Sequence, residues 1–201
     1  IFCYQTDKNL TSKNNNHMGH MTLEMFKMII DQTVENVEFI SLASRGEPLL
    51  CPNIEEMLAY TKDKYLNLKM NTNASLLNES KCHAILKSGI KTLVLSADAA
   101  REPDYSKYRV NGSLEKVLKN IERFQNIKTK YYSNSELVTR VSGVKFDDSQ
   151  DIESMKSLWG QLVDQVTFVD YLPWENTYTN PINDITTPCS DLWRRMFIWW
   201  D

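Results

Sequence analysis

Ser41-Leu42-Ala43-Ser44-Arg45-Gly46-Glu47-Pro48-Leu49-Leu50 joins a strand pattern to a tight turn. It closes an apolar run, Val37 to Ala43, in which Val37, Phe39, Ile40 and Leu42 suit a β-strand and Glu38 is the only charge. A Gly-Glu-Pro turn follows. Gly46 lets the backbone approach a ligand closely, Pro48 stiffens the exit, and Glu47 sets a carboxylate at the carboxyl end of the strand. Parallel α/β folds place their chemistry at that end. Alone, a Gly-Glu-Pro is also what an exposed loop with one ordinary charge would show, so its neighbours decide.

Those neighbours alternate between helix and strand patterns. Thr22 opens an amphipathic helix carrying Met25, Phe26, Ile29 and Ile30 that runs to about residue 36. After the strand at 37–43, Pro52 marks a helix start, with Ile54, Met57 and Leu58 at helical spacing, and residues 66–71 read as the next strand. Asn78 caps a helix that Gly89 ends, and a strand at 91–98 has Leu93, Val94 and Leu95 at its centre. Ser113 caps a helix with Val117, Ile121 and Phe124, before a strand at 137–144. Asp148 or Ser149 opens the last helix, with Met155 and Leu162, and a strand at 166–172 closes the series. Five strands alternating with helices predict a parallel sheet covered by helices, with a further strand expected just before Ile1.

Bulk properties narrow the partners. The 201 residues are 42% hydrophobic, enough for one ordinary core, and 23 basic against 26 acidic side chains leave a net charge of −3 with no long run of one sign. Nucleic acid and membrane are therefore poor candidates, and no apolar stretch approaches the roughly 20 residues of a membrane span. Cys3, Cys51, Cys82 and Cys189 are scattered, with no C-x2-C pair, which favours a reducing cytoplasm over a disulfide framework. Cys51 and Cys82 read as structural thiols, His17 and His20 as a loop pair without a third metal ligand, and His83 as a packing residue. Residues 174–188, rich in Asn, Thr and Pro, read as a linker or a loop over the sheet, with Trp174, Glu175 and Tyr178 able to cap a substrate. The expected division is 1–173 and 174–201.

Several loop motifs then share one resemblance. Phe2-Cys3-Tyr4, the Gly46-Glu47-Pro48 turn, Asn71-Thr72-Asn73-Ala74, Ser96-Ala97-Asp98 and Tyr105 to Gly112 stand where the radical S-adenosylmethionine enzymes carry their cofactor motifs. Cys189-x3-Trp193 resembles the entry to the SPASM-type extension of one branch of that family. The resemblance implies an α/β partial (β/α)6 TIM-like barrel whose first strand is missing, followed by the start of a SPASM or twitch-type extension. It implies a 4Fe-4S cluster on a C-x3-C-x2-C loop, with Phe2 preceding its third cysteine, Cys3, and the second cysteine falling just before Ile1. Thiolates suit such clusters, and three of them leave one iron free for the cofactor.

For S-adenosylmethionine the resemblance assigns Gly46, Glu47 and Pro48 to the amino group, Asn73 to cofactor support, and Ser96 and Asp98 to the ribose side or the substrate. Arg109 would meet the cofactor carboxylate, and Ser142, with Gly143, would lie near the adenine. Arg45 and Ala74 stand where the family has glycines. Cys189 would ligate an auxiliary iron-sulfur cluster. No catalytic side chain is assigned. The implied chemistry is reductive cleavage of S-adenosylmethionine and hydrogen-atom abstraction from a peptide, sugar or small-molecule substrate, with an electron donor such as flavodoxin or ferredoxin. The chain would then be a piece of the enzyme, inactive with one of three cluster cysteines. A cluster-free barrel lyase or aldolase, and a degenerate non-catalytic binding barrel, remain open alternatives on the residues.

Overall fold

The computed structural model describes residues 11–12, 18–43, 46–65, 67–171 and 194–200. Helix α1 (Leu23–Thr33) begins where the Thr22 hydroxyl accepts the Met25 N–H at 3.1 Å, and it buries Phe26 and Ile30. Strand β1 (Phe39–Leu42) leads through a 3-10 turn (Pro48–Leu50) to α2 (Ile54–Thr61) and β2 (Asn67–Thr72). Next come α3 (Glu79–Lys87), β3 (Thr92–Ser96), α4 (Asp104–Tyr108), α5 (Leu114–Tyr131), β4 (Val138–Lys145), α6 (Ile152–Gly160) and β5 (Gln165–Asp170). Asn78 and Ser113 cap α3 and α5, as their positions predict.

All four strand pairings are parallel, and the sheet order β1-β2-β3-β4-β5 follows the chain. Stepping one strand at a time with a helical crossover between neighbours puts the helices on one face, the arrangement of a (β/α) barrel wall. Leu68, Met70, Leu93, Leu95 and Val141 form that covered face, packed with Leu58, Ile85, Phe124 and Trp159 from the helices. The alternate residues line the other face and are mostly polar and half-buried: Lys69 and Asn71 on β2, Ser96 on β3, Arg140 and Ser142 on β4, Thr167 on β5. Period-2 alternation thus sorts one dry face from one open face.

Strands β1, β3 and β5 and helix α1 are shorter than the sequence reading, the strand read at 91–98 ending at Ser96, and three further departures have a local cause. Pro52 lies in a turn, so α2 starts at Ile54. The last helix starts at Ile152, because Asp147 holds the Ser149 N–H at 2.8 Å in a separate turn and Asp151 takes the Ser154 N–H at 2.9 Å as the cap. The Tyr105 stretch, read as a loop, contains α4. Among the described residues no helix is long and apolar enough to cross a membrane.

Candidate functional site at the carboxyl edge of the sheet

The first loop of this edge is shaped by Gly46, at φ 101°, a region open to glycine and strained for other residues. It delivers Glu47 half-buried, with its carboxylate facing the neighbouring strand end. Oε1 accepts from the Thr72 hydroxyl at 2.6 Å and from the Leu49 N–H at 3.1 Å, while Oε2 accepts the Asn73 N–H at 2.7 Å. Glu47 therefore caps the Pro48–Leu50 turn and fastens the β1 loop to the end of β2. Three donors leave a carboxylate with capacity for one more.

The second loop is held from both sides. Asn73 Oδ1 accepts the Ser75 N–H at 2.9 Å, closing an Asx turn, and Ala74 sits at φ 60°. That left-handed backbone explains why a glycine suits position 74 in the related motif. From α5, the buried Asn120 amide donates to the carbonyls of Ala74 (2.9 Å) and Ser75 (3.2 Å). Arg123 donates to the Asn120 side-chain oxygen at 2.8 Å and to the Leu77 carbonyl at 3.2 Å. The sequence reading assigned neither residue a role.

The third and fourth strand ends carry the remaining candidates. Ser96 and Ser142 are register partners on the open face, both half-buried, and among the described residues neither hydroxyl has a hydrogen-bond partner. Asp98 lies two residues beyond Ser96 but past the strand, with its side chain fully buried. Its Oδ1 accepts the Val144 N–H at 2.7 Å, and Arg109 Nε approaches its Oδ2 to 2.5 Å. Asp98 and Arg109, expected to act on different parts of a cofactor, thus form one ion pair. Gln150, also unforeseen, donates to the carbonyls of Asp98 (3.1 Å) and Val144 (3.0 Å) and accepts from the Phe146 N–H, locking the β3 and β4 ends together. Gly143 faces the helices; a Cβ there would stand 2.7 Å from the Ala97 carbonyl, so this position needs glycine for close packing.

Beside the ion pair, Tyr108 stacks on Phe146 (centroids 4.7 Å apart, planes 4° from parallel), and Tyr171 tilts against Phe146 at 5.4 Å. A cavity of about 60 Å³ borders Asp98, Tyr108 and Gln150. That is far below the about 300–1,000 Å³ of ordinary ligand pockets, which leaves the open edge itself as the candidate site.

Cys51 and Cys82 sit among packed side chains. Cys82 is buried in α3, and burial pushes its thiol up to about 11; Cys51 packs 3.8 Å from the Met57 sulfur. His83 Nδ1 lies 2.7 Å from the Tyr132 hydroxyl, with both Tyr131 and Tyr132 rings against it. Among the described residues no cluster of His, Cys, Asp or Glu is arranged to hold a metal ion. Phe2, Cys3, His17, Arg45, the 174–188 stretch and Cys189 lie outside the described residues.

Comparison with known proteins agrees with this architecture. A GTP 3',8-cyclase of Clostridium botulinum (strain Okra / Type B1) is 25% identical over 202 residues, covering 96% of this chain and 60% of that protein. An AdoMet-dependent heme synthase of Methanosarcina barkeri is 30% identical over 105 residues, 52% of this chain and 30% of its own length. The chain thus spans at most about 60% of these two curated relatives. In fold it is similar to Streptococcus suis SuiB bound to S-adenosylmethionine, with a TM-score of 0.60 and 20% identity over 84% of this chain and 37% of that one. The family description "Radical SAM superfamily" matches residues 1–157, and the chain belongs to that superfamily.

Proposed function

We propose that this chain forms the S-adenosylmethionine-binding wall of an enzyme that modifies a peptide, sugar or other small molecule by hydrogen-atom abstraction. The observation that carries the reading is the paired Ser96 and Ser142 hydroxyls, half-buried and without partners among the described residues, on the same edge as Glu47. Half-buried hydroxyls on a sheet face are satisfied by water or by a ligand, and a ribose or adenine edge offers the matching groups. Those residues fit the cofactor that the family uses.

In this reading the cofactor and a 4Fe-4S cluster supply the one-electron cleavage and the radical, and the protein supplies position. Glu47, already anchored by Thr72 and Asn73, turns its remaining acceptor capacity to the amino group. Arg109, steered by Asp98, offers guanidinium N–H groups to the carboxylate, and Gly46 and Pro48 set the loop that presents Glu47. Cys3, preceded by Phe2, would ligate the cluster, and Cys189 an auxiliary cluster in a SPASM-type extension. A low-potential electron donor of the flavodoxin or ferredoxin kind and a reducing cytoplasm complete the proposal.

Glu47→Ala in the intact, cluster-reconstituted protein tests it. Loss of one charge-assisted hydrogen bond predicts about tenfold weaker S-adenosylmethionine binding with the iron content unchanged. Equal loss of iron and cofactor binding would overturn the assignment.

A further inference from the structure

The open face carries an electrostatic asymmetry that the cofactor residues do not use. Lys69 and Arg140 both point to it, on β2 and β4, and the described strand residues of this face include no Asp or Glu. Arg140 shares a register row with Val94 of β3 and Asn71 of β2, and Lys69 sits one pleat earlier on β2. Two strand spacings separate β2 from β4, about 10 Å, a gap that a lysine and an arginine can close from both sides. Neither has an acidic partner among the described residues, where seven other cations are paired with carboxylates.

Burial is what makes this unusual. Arg140 Nε and Asn71 Oδ1 are both inaccessible to solvent and, among the described residues, without a hydrogen-bond partner. Burial, then the charges of Arg140 and of Arg195, hold the Lys69 amine below the usual lysine range. A solvated surface pair would repel and swing apart into water at little cost. A buried donor on a charged guanidinium and a buried acceptor facing the same lumen each forfeit a hydrogen bond unless something enters to make it.

We propose that Lys69 and Arg140 form a substrate clamp for an oxyanion, a carboxylate or phosphate carried by the molecule to be modified, with Asn71 accepting from a neighbouring hydroxyl or amide N–H of that molecule. The inference rests on the proposed function, in which a cofactor held at the edge of this face acts on a molecule bound beside it, and it narrows that substrate to an anionic one. An oxyanion would satisfy the guanidinium fork and relieve the repulsion between the two cations in one step. Its place, with Arg140 two residues and Lys69 four residues below the row of Ser96 and Ser142, separates it from the cofactor edge, so the two sites can be read independently.

The test uses the intact protein, reconstituted with its cluster, and follows acylation of Lys69 by mass spectrometry in inorganic phosphate or in acetate at constant ionic strength. The expected result is saturable protection, about tenfold, by one of the two anions: phosphate for a phosphoryl-bearing substrate, acetate for a carboxylate-bearing one. Arg140→Met abolishes the protection and Arg140→Lys keeps part of it, while S-adenosylmethionine affinity and iron content stay unchanged in both. Equal acylation rates with and without either anion in the wild-type protein would overturn the clamp, and that arm depends on no variant folding. Wild-type protein that is protected by an anion but does not bind S-adenosylmethionine would instead overturn the proposed function and leave only the anion site at Lys69 and Arg140 standing.

Discussion

Glu47 receives the backbone N–H of Asn73 at 2.7 Å, so the carboxylate of one strand-end loop holds the next loop in place. The same carboxylate takes Thr72 and Leu49. Glu47→Ala removes three acceptor contacts and should cost about 2–4 kcal/mol of folding stability by urea denaturation, whereas Glu47→Gln, which keeps one carbonyl oxygen, should cost less than half of that. A Gln variant as unstable as the Ala variant would mean that charge, not the shape of the staple, holds the edge.

Ala74 holds a φ of 60° with its methyl buried. Relief of left-handed strain in Ala74→Gly competes with added chain entropy and the lost methyl contact. The expected net change is within about 1 kcal/mol, in contrast to the losses of several kcal/mol typical of core truncations. Thermal denaturation of the two forms checks this.

Asp98 is fully buried and answered by Arg109. Arg109→Met should destabilise the protein by about 3 kcal/mol, since it leaves a buried carboxylate without its cation. Adding Asp98→Asn should recover part of the loss, because a side-chain oxygen can still accept the Val144 N–H. A double variant less stable than Arg109→Met alone would contradict the pairing.

Cys82 supplies a pH test. Its thiol is raised from about 9 to about 11 because burial disfavours the thiolate. The unfolded chain releases that proton first, so the contribution is intact below pH 9 and is lost as pH rises toward 11. Cys82→Ala should flatten this part of the stability profile, after allowance for its smaller volume. In the folded protein at pH 8, Cys82 should resist iodoacetamide.

The sheet was legible because apolar runs at strand length alternate with helical spacing, and Gly46 announced its turn by residue type alone. What escaped were contacts with no local signature. Asn73 meets Glu47 across 26 positions, Asn120 reaches Ala74 across 46, and Gln150 reaches Asp98 across 52. No periodicity or capping rule encodes such pairings. Helix α4, five residues long, is too short to display a period. The two faces of β2 and β4 were encoded, in the alternation of Lys69, Asn71, Arg140 and Ser142 with apolar or small neighbours, but a polar residue inside a strand reads equally as an exposed face until the register is known.

Cleavage of S-adenosylmethionine is tested by anaerobic incubation of the intact, reconstituted and reduced protein with the cofactor, followed by chromatography for 5′-deoxyadenosine. 5′-Deoxyadenosine should accumulate, and Glu47→Ala should lower the yield at limiting cofactor. A fully reconstituted protein that binds S-adenosylmethionine and returns it uncleaved would contradict the proposed function.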